Sequence, residues 1–161
     1  MSEDLDRLGR AYKRLAADTG SRMDFACDIG SDDALKVAEE ERYFLDQSFF
    51  VLLFGVLERQ INQLAMARLP DEERRAAMRS ARFERRLDTA TKVATEIVGT
   101  ERAGSITSAR EKTAEWYETR SDIAHGEAPT ALVDMAGLLQ QAKAISALFD
   151  EVQAALSTEA T

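Results

Sequence analysis

The sequence is short of the residues that build metal sites, disulfides and tight turns. It contains one histidine, one cysteine and two prolines among 161 residues. The single cysteine, Cys27, cannot form an internal disulfide, so nothing points to an oxidising compartment. One histidine and one cysteine leave no recognisable zinc site, and the chain has neither a glycine-rich phosphate loop nor a dinucleotide-binding fingerprint. We therefore predict no cofactor and no metal, although a magnesium site built from carboxylates alone stays open because acids are abundant.

Long apolar runs are scarce as well. The longest, Phe49–Leu57, has about half the length that a membrane span requires. The acidic N-terminus lacks the basic and then apolar pattern of a signal peptide. Hydrophobic residues make up 45% of the chain and charged residues 31%, which is ordinary for a globular protein. We expect a cytoplasmic protein with no membrane contact, folded as a single domain over residues 1–161.

Alanine, leucine, glutamate and arginine dominate the composition, and they favour helix over sheet. Apolar residues recur three and four positions apart, which predicts an all-α bundle of about five to six helices. We expect an N-terminal helix and loop over 1–31 and a core bundle over 33–156. The predicted elements of the first half are a helix over 5–18 that ends at Gly20, a loop from Gly20 and Ser21 to Ser31, and a helix from an Asp32 or Asp33 N-cap to about Arg68, ended by Pro70. Those of the second half are a helix over 83–98 ended by Gly99, a loop at Gly104 and Ser105, a helix that starts with a capping box at Ser108, and a last helix capped by Thr130.

Two predicted helices carry unusually extensive apolar surface. The segment Phe49–Leu57 is apolar on every side, so it must lie at the centre of the bundle or be covered partly by a second subunit. The last helix has a long apolar stripe from Met135 to Leu156. Together they offer more hydrophobic surface than one small bundle readily hides, which fits a homodimer; the alternative is a monomeric bundle that buries both.

Basic charge is concentrated in one short segment. Six arginines and one acid, Glu84, lie between positions 74 and 86. Four of these arginines follow one another at helical steps, so on a continuous helix they would form one stripe that could bind RNA. The alternative is a solvated helix face whose arginines pair with acids elsewhere. The net charge of −8 argues against a general polyanion binder but leaves a local basic site open. The candidate RNA-binding residues are Arg75, Arg79, Arg82 and Arg86.

The only histidine lies in the segment from Arg120 to Gly126 (RSDIAHG). An imidazole can transfer a proton near neutral pH, and a guanidinium can hold a phosphate through forked hydrogen bonds. On a continuing helix Ser121 and His125 share a stripe, and Arg120 lies about 140° from His125. Arg120 and His125 are the candidate catalytic residues, and Ser121 or Asp122 could orient the imidazole. The alternative is a histidine that stabilises a helix C-terminus and has no further role.

The string from Trp116 to Gly126 (WYETRSDIAHG) resembles the signature of the HEPN superfamily (higher eukaryotes and prokaryotes nucleotide-binding domains). Members of that family are small all-α bundles. The active ones are marked by an arginine, a polar residue, a few further positions and a histidine, often in an ending like Ile-Ala-His-Gly. Here a long apolar helix with an embedded acid, Glu58, precedes the motif, and an amphipathic helix follows it. Ser121 occupies the polar position, where family members more often have asparagine or aspartate.

The resemblance implies a metal-independent endoribonuclease in which the RNA's own 2′-hydroxyl attacks the scissile phosphate and a 2′,3′-cyclic phosphate remains. It makes His125 the general acid or base, and it makes Arg120 the residue that stabilises charge in the transition state. It also implies a homodimer with a composite active site, and a toxin or phage-defence role with an antitoxin partner that is often nucleotidyltransferase-like. Two alternatives stay open: a non-catalytic HEPN-like module that binds a partner protein or nucleotide, and an unrelated helical interaction protein.

Overall fold

The computed structural model describes residues 2–127 and 134–159, and within them the chain forms six α-helices and no β-strand. The predicted all-α class is therefore confirmed. None of the described helices combines the length and the apolar character needed to cross a bilayer. The helices are α1 (Ser2–Asp28), α2 (Asp32–Met66), α3 (Glu72–Arg79), α4 (Phe83–Val98), α5 (Ala103–Ala124) and α6 (Met135–Glu159), with a 3-10 turn at Thr100–Arg102.

Several helix ends follow from short-range chemistry. Ser31 caps α2, because its side chain accepts a hydrogen bond from the backbone N–H of Ala34 over 3.3 Å. The predicted caps Asp32 and Asp33 lie instead in the first turn, where their charge favours the positive end of the helix dipole. As predicted, α4 ends at Gly99, whose φ of 71° lies in the left-handed region that glycine tolerates.

Two of the predicted loops lie inside helices. The first helix does not stop at Gly20 but continues to Asp28. Since α5 begins at Ala103, the predicted loop at 104–105 and the capping box at Ser108 are also wrong. A glycine inside a helix costs only about 1 kcal/mol. Packing of α1 against α2, and of α5 against α4, outweighs that cost.

One hydrophobic core contains residues from all six helices, and α2 contacts each of the other five. Six of the nine residues in Phe49–Leu57 are buried, but Leu52 is 58% exposed, so this segment is not enclosed on every side. The apolar stripe of α6 is buried or half-buried from Met135 onward. The surface that favoured a homodimer is therefore largely covered within one chain. Thr130, the predicted cap of the last helix, lies outside the described residues.

Candidate active site

Two aromatic contacts hold the C-terminal part of α5 against the core. Trp116 is 2% exposed and meets Phe50 of α2 edge-on, with ring centroids 6.1 Å apart. Tyr117 stacks on Phe83 at the start of α4, with centroids 4.3 Å apart and planes at 13°. Both rings precede the Arg120 segment by about one turn. They therefore fix the direction in which the last turns of α5 leave the core.

The predicted catalytic residues occupy the end of α5. Arg120 and Ser121 are half-buried, whereas Asp122 and His125 are exposed. The backbone N–H of His125 donates to the carbonyl of Ser121 over 3.0 Å, so helical geometry persists as far as His125. The two residues therefore share a stripe, and Arg120 lies about 140° round the helix from His125. Neither Arg120 nor His125 makes a side-chain hydrogen bond or ion pair with any other residue that the structure describes.

A Schellman motif closes this end of α5. The N–H of Gly126 donates to the carbonyl of Ile123 over 3.1 Å, and the N–H of Glu127 donates to the carbonyl of Asp122 over 2.9 Å. Gly126 has a φ of 78°, which a residue with a Cβ atom adopts only under strain. His125 is the C-cap residue. The His-Gly pair therefore has a structural use in ending the helix, beside any catalytic one.

The antiparallel pairing of α4 and α5 brings Arg82 to the same end of the bundle as the motif. Besides the Tyr117 stack on Phe83, Arg110 of α5 donates to Asp88 of α4 over 2.7 Å. The later residue of α5, Tyr117, meets the earlier residue of α4, Phe83, so the two helices are antiparallel. Because α5 continues beyond Tyr117, its last turns extend past the first residue of α4. Arg82 is exposed and precedes that residue as the N-cap of α4.

The predicted continuous ridge of four arginines is wrong, because the chain turns at Ser80–Arg82 and divides them between two helices. Met78 and Phe83 are 8% and 2% exposed. On one continuous helix these two side chains would point about 140° apart. The turn lets both of them enter the core. The arginines are placed as Arg75 and Arg79 on α3, Arg82 at the N-cap of α4, and Arg86 on α4.

The arginines also differ in their partners. The side chain of Arg86 is only 15% exposed, and it donates to Glu58 of α2 over 2.9 Å and to Asn62 over 2.7 Å. Arg79 pairs with Glu72 on its own helix, and this ion pair lowers the pKa of the Glu72 carboxyl. Arg86 is thus an interior residue that ties α4 to α2. Its partner Glu58 is the acid embedded in the long apolar helix that precedes the motif.

A further polar cluster, which the sequence patterns did not reveal, joins α1 to α2. The hydroxyl of Tyr12 donates to Asp46 over 2.7 Å and accepts from Arg42 over 2.9 Å. Burial, with the hydrogen bond to Asp46, raises the pKa of Tyr12 to about 12. Only the four-residue spacing of Arg42 and Asp46 gave a local signal, since Tyr12 lies 34 positions from Asp46.

The described part of the chain contains no group of three or more histidine, cysteine, aspartate or glutamate side chains placed to hold a metal ion. No protein-family model, no curated protein and no solved structure matches this chain. The likeness to the HEPN superfamily therefore stays a prediction that depends on the segment from Trp116 to Gly126.

Proposed function

We propose that this chain is a metal-independent endoribonuclease of the HEPN type, acting in the cytoplasm as a toxin or phage-defence component. The observation that supports it best is that Arg120 and His125 lie together at one helix end without a described side-chain partner. Buried polar side chains that hold a fold together usually have hydrogen-bond partners within it. Arg120 is half-buried and His125 is exposed, and with no described partner both side chains are available to a ligand.

The proposed reaction needs no metal and no covalent enzyme intermediate. The 2′-oxygen of the RNA attacks the adjacent phosphorus, and the bond from phosphorus to the 5′-oxygen breaks. One proton leaves the 2′-hydroxyl and one reaches the departing 5′-oxygen, which yields a 2′,3′-cyclic phosphate and a 5′-hydroxyl. His125 carries a proton in one of these transfers, and Arg120 stabilises the negative charge of the transition state. Ser121 and Asp122 orient the imidazole.

A second copy of the chain would supply the missing proton carrier. The reaction needs a proton acceptor and a proton donor, whereas each chain has one histidine. We therefore include in the proposal a homodimer whose two Arg120–His125 motifs form a composite site. If both histidines are needed, adding His125→Ala chains to the wild type lowers the activity per wild-type chain. Light scattering of the purified protein measures the mass of the assembly directly.

The net charge of −8 leaves RNA binding to local basic side chains. Arg82 is the strongest of the predicted RNA ligands, because it is exposed at the same end of the bundle as the motif. Arg75 and Arg79 lie one helix earlier and are secondary candidates. Arg86 is not part of the proposed RNA site, since its guanidinium bonds Glu58 within the fold. We also propose that an antitoxin partner, of the nucleotidyltransferase-like kind, restrains the enzyme by covering or modifying the motif.

The test is cleavage of single-stranded and structured RNA by the purified chain in excess EDTA. We expect cleavage that leaves 2′,3′-cyclic ends and disappears in His125→Ala and Arg120→Ala. His125→Asn is the informative variant, because it keeps a polar C-cap side chain but cannot transfer a proton. Lys112→Ala, on the same helix further from the motif, is the matched control and should cleave normally. Equal trace cleavage by every variant would indicate contamination and reject the proposal.

The Schellman motif favours a second candidate, a non-catalytic HEPN-like module that binds a partner protein or nucleotide. In that case the His-Gly pair is kept to end α5. This candidate leads if His125→Asn and the wild type bind RNA or nucleotide equally and neither cleaves. It also requires that Gly126→Ala lowers the free energy of unfolding and that His125→Asn leaves it unchanged.

A further inference from the structure

The first two helices extend from the bundle as a two-helix arm, defined here as residues 13–45. The cluster of Tyr12 with Asp46 marks its root, and the turn that precedes α2 marks its tip. At 1.5 Å per residue the arm projects by about 25 Å. None of its residues belongs to the core that the six helices share. Its own buried residues are small: Thr19, Ala26 and Ala38.

The arm carries most of the exposed apolar surface of the described chain. Six large hydrophobic side chains on it are more than a third exposed, and outside it only Leu52 among the described residues is of this kind. Two of the six, Phe25 and Val37, line one groove, and exposed apolar surface that is shared in this way often marks an interaction site. The six residues are Leu15, Phe25, Ile29, Val37, Tyr43 and Phe44.

A shallow groove of about 530 Å³ runs between the two helices of the arm. Its lining includes the small residues Ala34 and Ala38, one turn apart on α2, and the large residues Phe25 of α1 and Val37 of α2. Phe25 is 63% exposed and Val37 is 56% exposed. Small residues in a groove lined also by large apolar side chains let a third helix approach closely, as in helix-in-groove recognition.

The charge around this groove is predominantly negative. Eight acidic and two basic side chains lie between Asp18 and Glu41. One of the two bases, Arg22, is already paired with Asp18 over 3.0 Å and with Glu41 over 2.9 Å. The acid Asp33 also lines the groove. An occupant must therefore bring positive charge as well as apolar side chains.

We propose that the groove of the arm binds a cationic amphipathic helix from a partner protein, which completes a three-helix bundle with its apolar side chains against Phe25 and Val37. This inference does not depend on the proposed ribonuclease activity. A second copy of this chain fits the groove poorly. Its arginine-rich α3 has one large apolar residue, Met78, and that residue is buried in its own core. Two arms laid against each other would bring like charges together. An anionic membrane surface would be repelled for the same reason.

The probe for the test is a fluorescent synthetic helix with a leucine stripe and lysines on its other faces, added to the full-length protein. The matched probe has the same leucines and glutamates in place of the lysines. We expect the lysine helix to bind and the glutamate helix to fail. Phe25→Ser and Val37→Ser should each weaken binding by about tenfold. Leu52→Ser, at a site of similar exposure outside the arm, should leave the affinity unchanged.

Charge and occupancy provide the second half of the test. Asp33→Asn should weaken binding and reduce its dependence on salt. Equal binding of both probes, or unchanged binding by the Phe25 and Val37 variants, overturns the proposal. The only cysteine, Cys27, is exposed on the arm and accepts a nitroxide label. A short distance between two labels in the protein alone would assign the groove to a second copy of this chain. Co-flotation with phosphatidylcholine vesicles would assign it to lipid. Either result also overturns the proposal. Circular dichroism of each variant checks that the fold is intact.

Discussion

The partly buried ion pair between Glu58 and Arg86 allows a decisive experiment, because its two interpretations make opposite forecasts. If Arg86 is an interior residue, replacing it lowers stability. If it is an RNA ligand, replacing it lowers RNA binding and leaves stability unchanged. The side chains of Glu58 and Arg86 are 25% and 15% exposed, and their charged atoms lie 2.9 Å apart.

The expected loss in the free energy of unfolding depends on which charged group each substitution leaves unpaired. Removing one partner of a fully buried ion pair costs about 3–5 kcal/mol because the other charge stays unpaired. Here water reaches part of both groups and Asn62 still accepts one hydrogen bond from Arg86. We therefore expect Glu58→Leu to lower the free energy of unfolding by about 2 kcal/mol, and Arg86→Met by a similar amount. Glu58→Gln keeps an acceptor oxygen and should cost about 1 kcal/mol.

The double variant Glu58→Leu/Arg86→Met is the critical measurement. It leaves no unpaired charge, so its total loss should be about 2 kcal/mol, half the sum of the two single losses. Urea unfolding followed by circular dichroism gives the free energy of unfolding of the wild type, of the two single variants Glu58→Leu and Arg86→Met, and of the double variant. Arg82→Met, at an exposed arginine, is the control and should shift stability by less than about 0.5 kcal/mol. Strictly additive losses, or a stable Arg86→Met protein with weakened RNA binding, would refute the structural interpretation of Arg86.

Three further outcomes are expected. Gly126→Ala should lower the free energy of unfolding by about 1 kcal/mol, because its φ of 78° is strained for alanine; an unchanged urea midpoint would contradict this. The pKa of Tyr12 is raised to about 12, mainly by burial and then by Asp46. Its contribution to stability is therefore complete below pH 10 and is lost as the pH rises toward 12. Ultraviolet titration against Tyr12→Phe measures this, and a wild-type Tyr12 that ionises near pH 10 would disprove it. Phe50→Ala should cost about 3–5 kcal/mol and weaken the packing around Trp116, which tryptophan fluorescence reports; a loss below about 1 kcal/mol would mean that this contact contributes little.

The sequence predicts those features of the candidate site that depend on residues close together in the chain. The order of Arg120, Ser121 and His125 along one helix follows from spacing alone, and the helix persists to His125 as expected. The Schellman closure could also have been anticipated, because a glycine directly after a periodic helix is its usual mark. Whether two motifs meet across a dimer depends on the surfaces that two folded chains present to each other, and the local spacing of Arg120 and His125 does not encode those surfaces.

The sequence by itself determined that the described chain is helical, that α2 is long, that α4 ends at Gly99 and that α6 buries its stripe. Apolar periodicity and helix caps act within a few residues, so they can be interpreted without knowing the fold. Only the tertiary structure decided that Gly20 lies inside a helix, because α2 packs against α1 there and outweighs a cost of about 1 kcal/mol. Tertiary structure likewise divided the arginines. No glycine or proline marks the turn at Ser80–Arg82, and it forms because residues on both of its sides pack into one shared core.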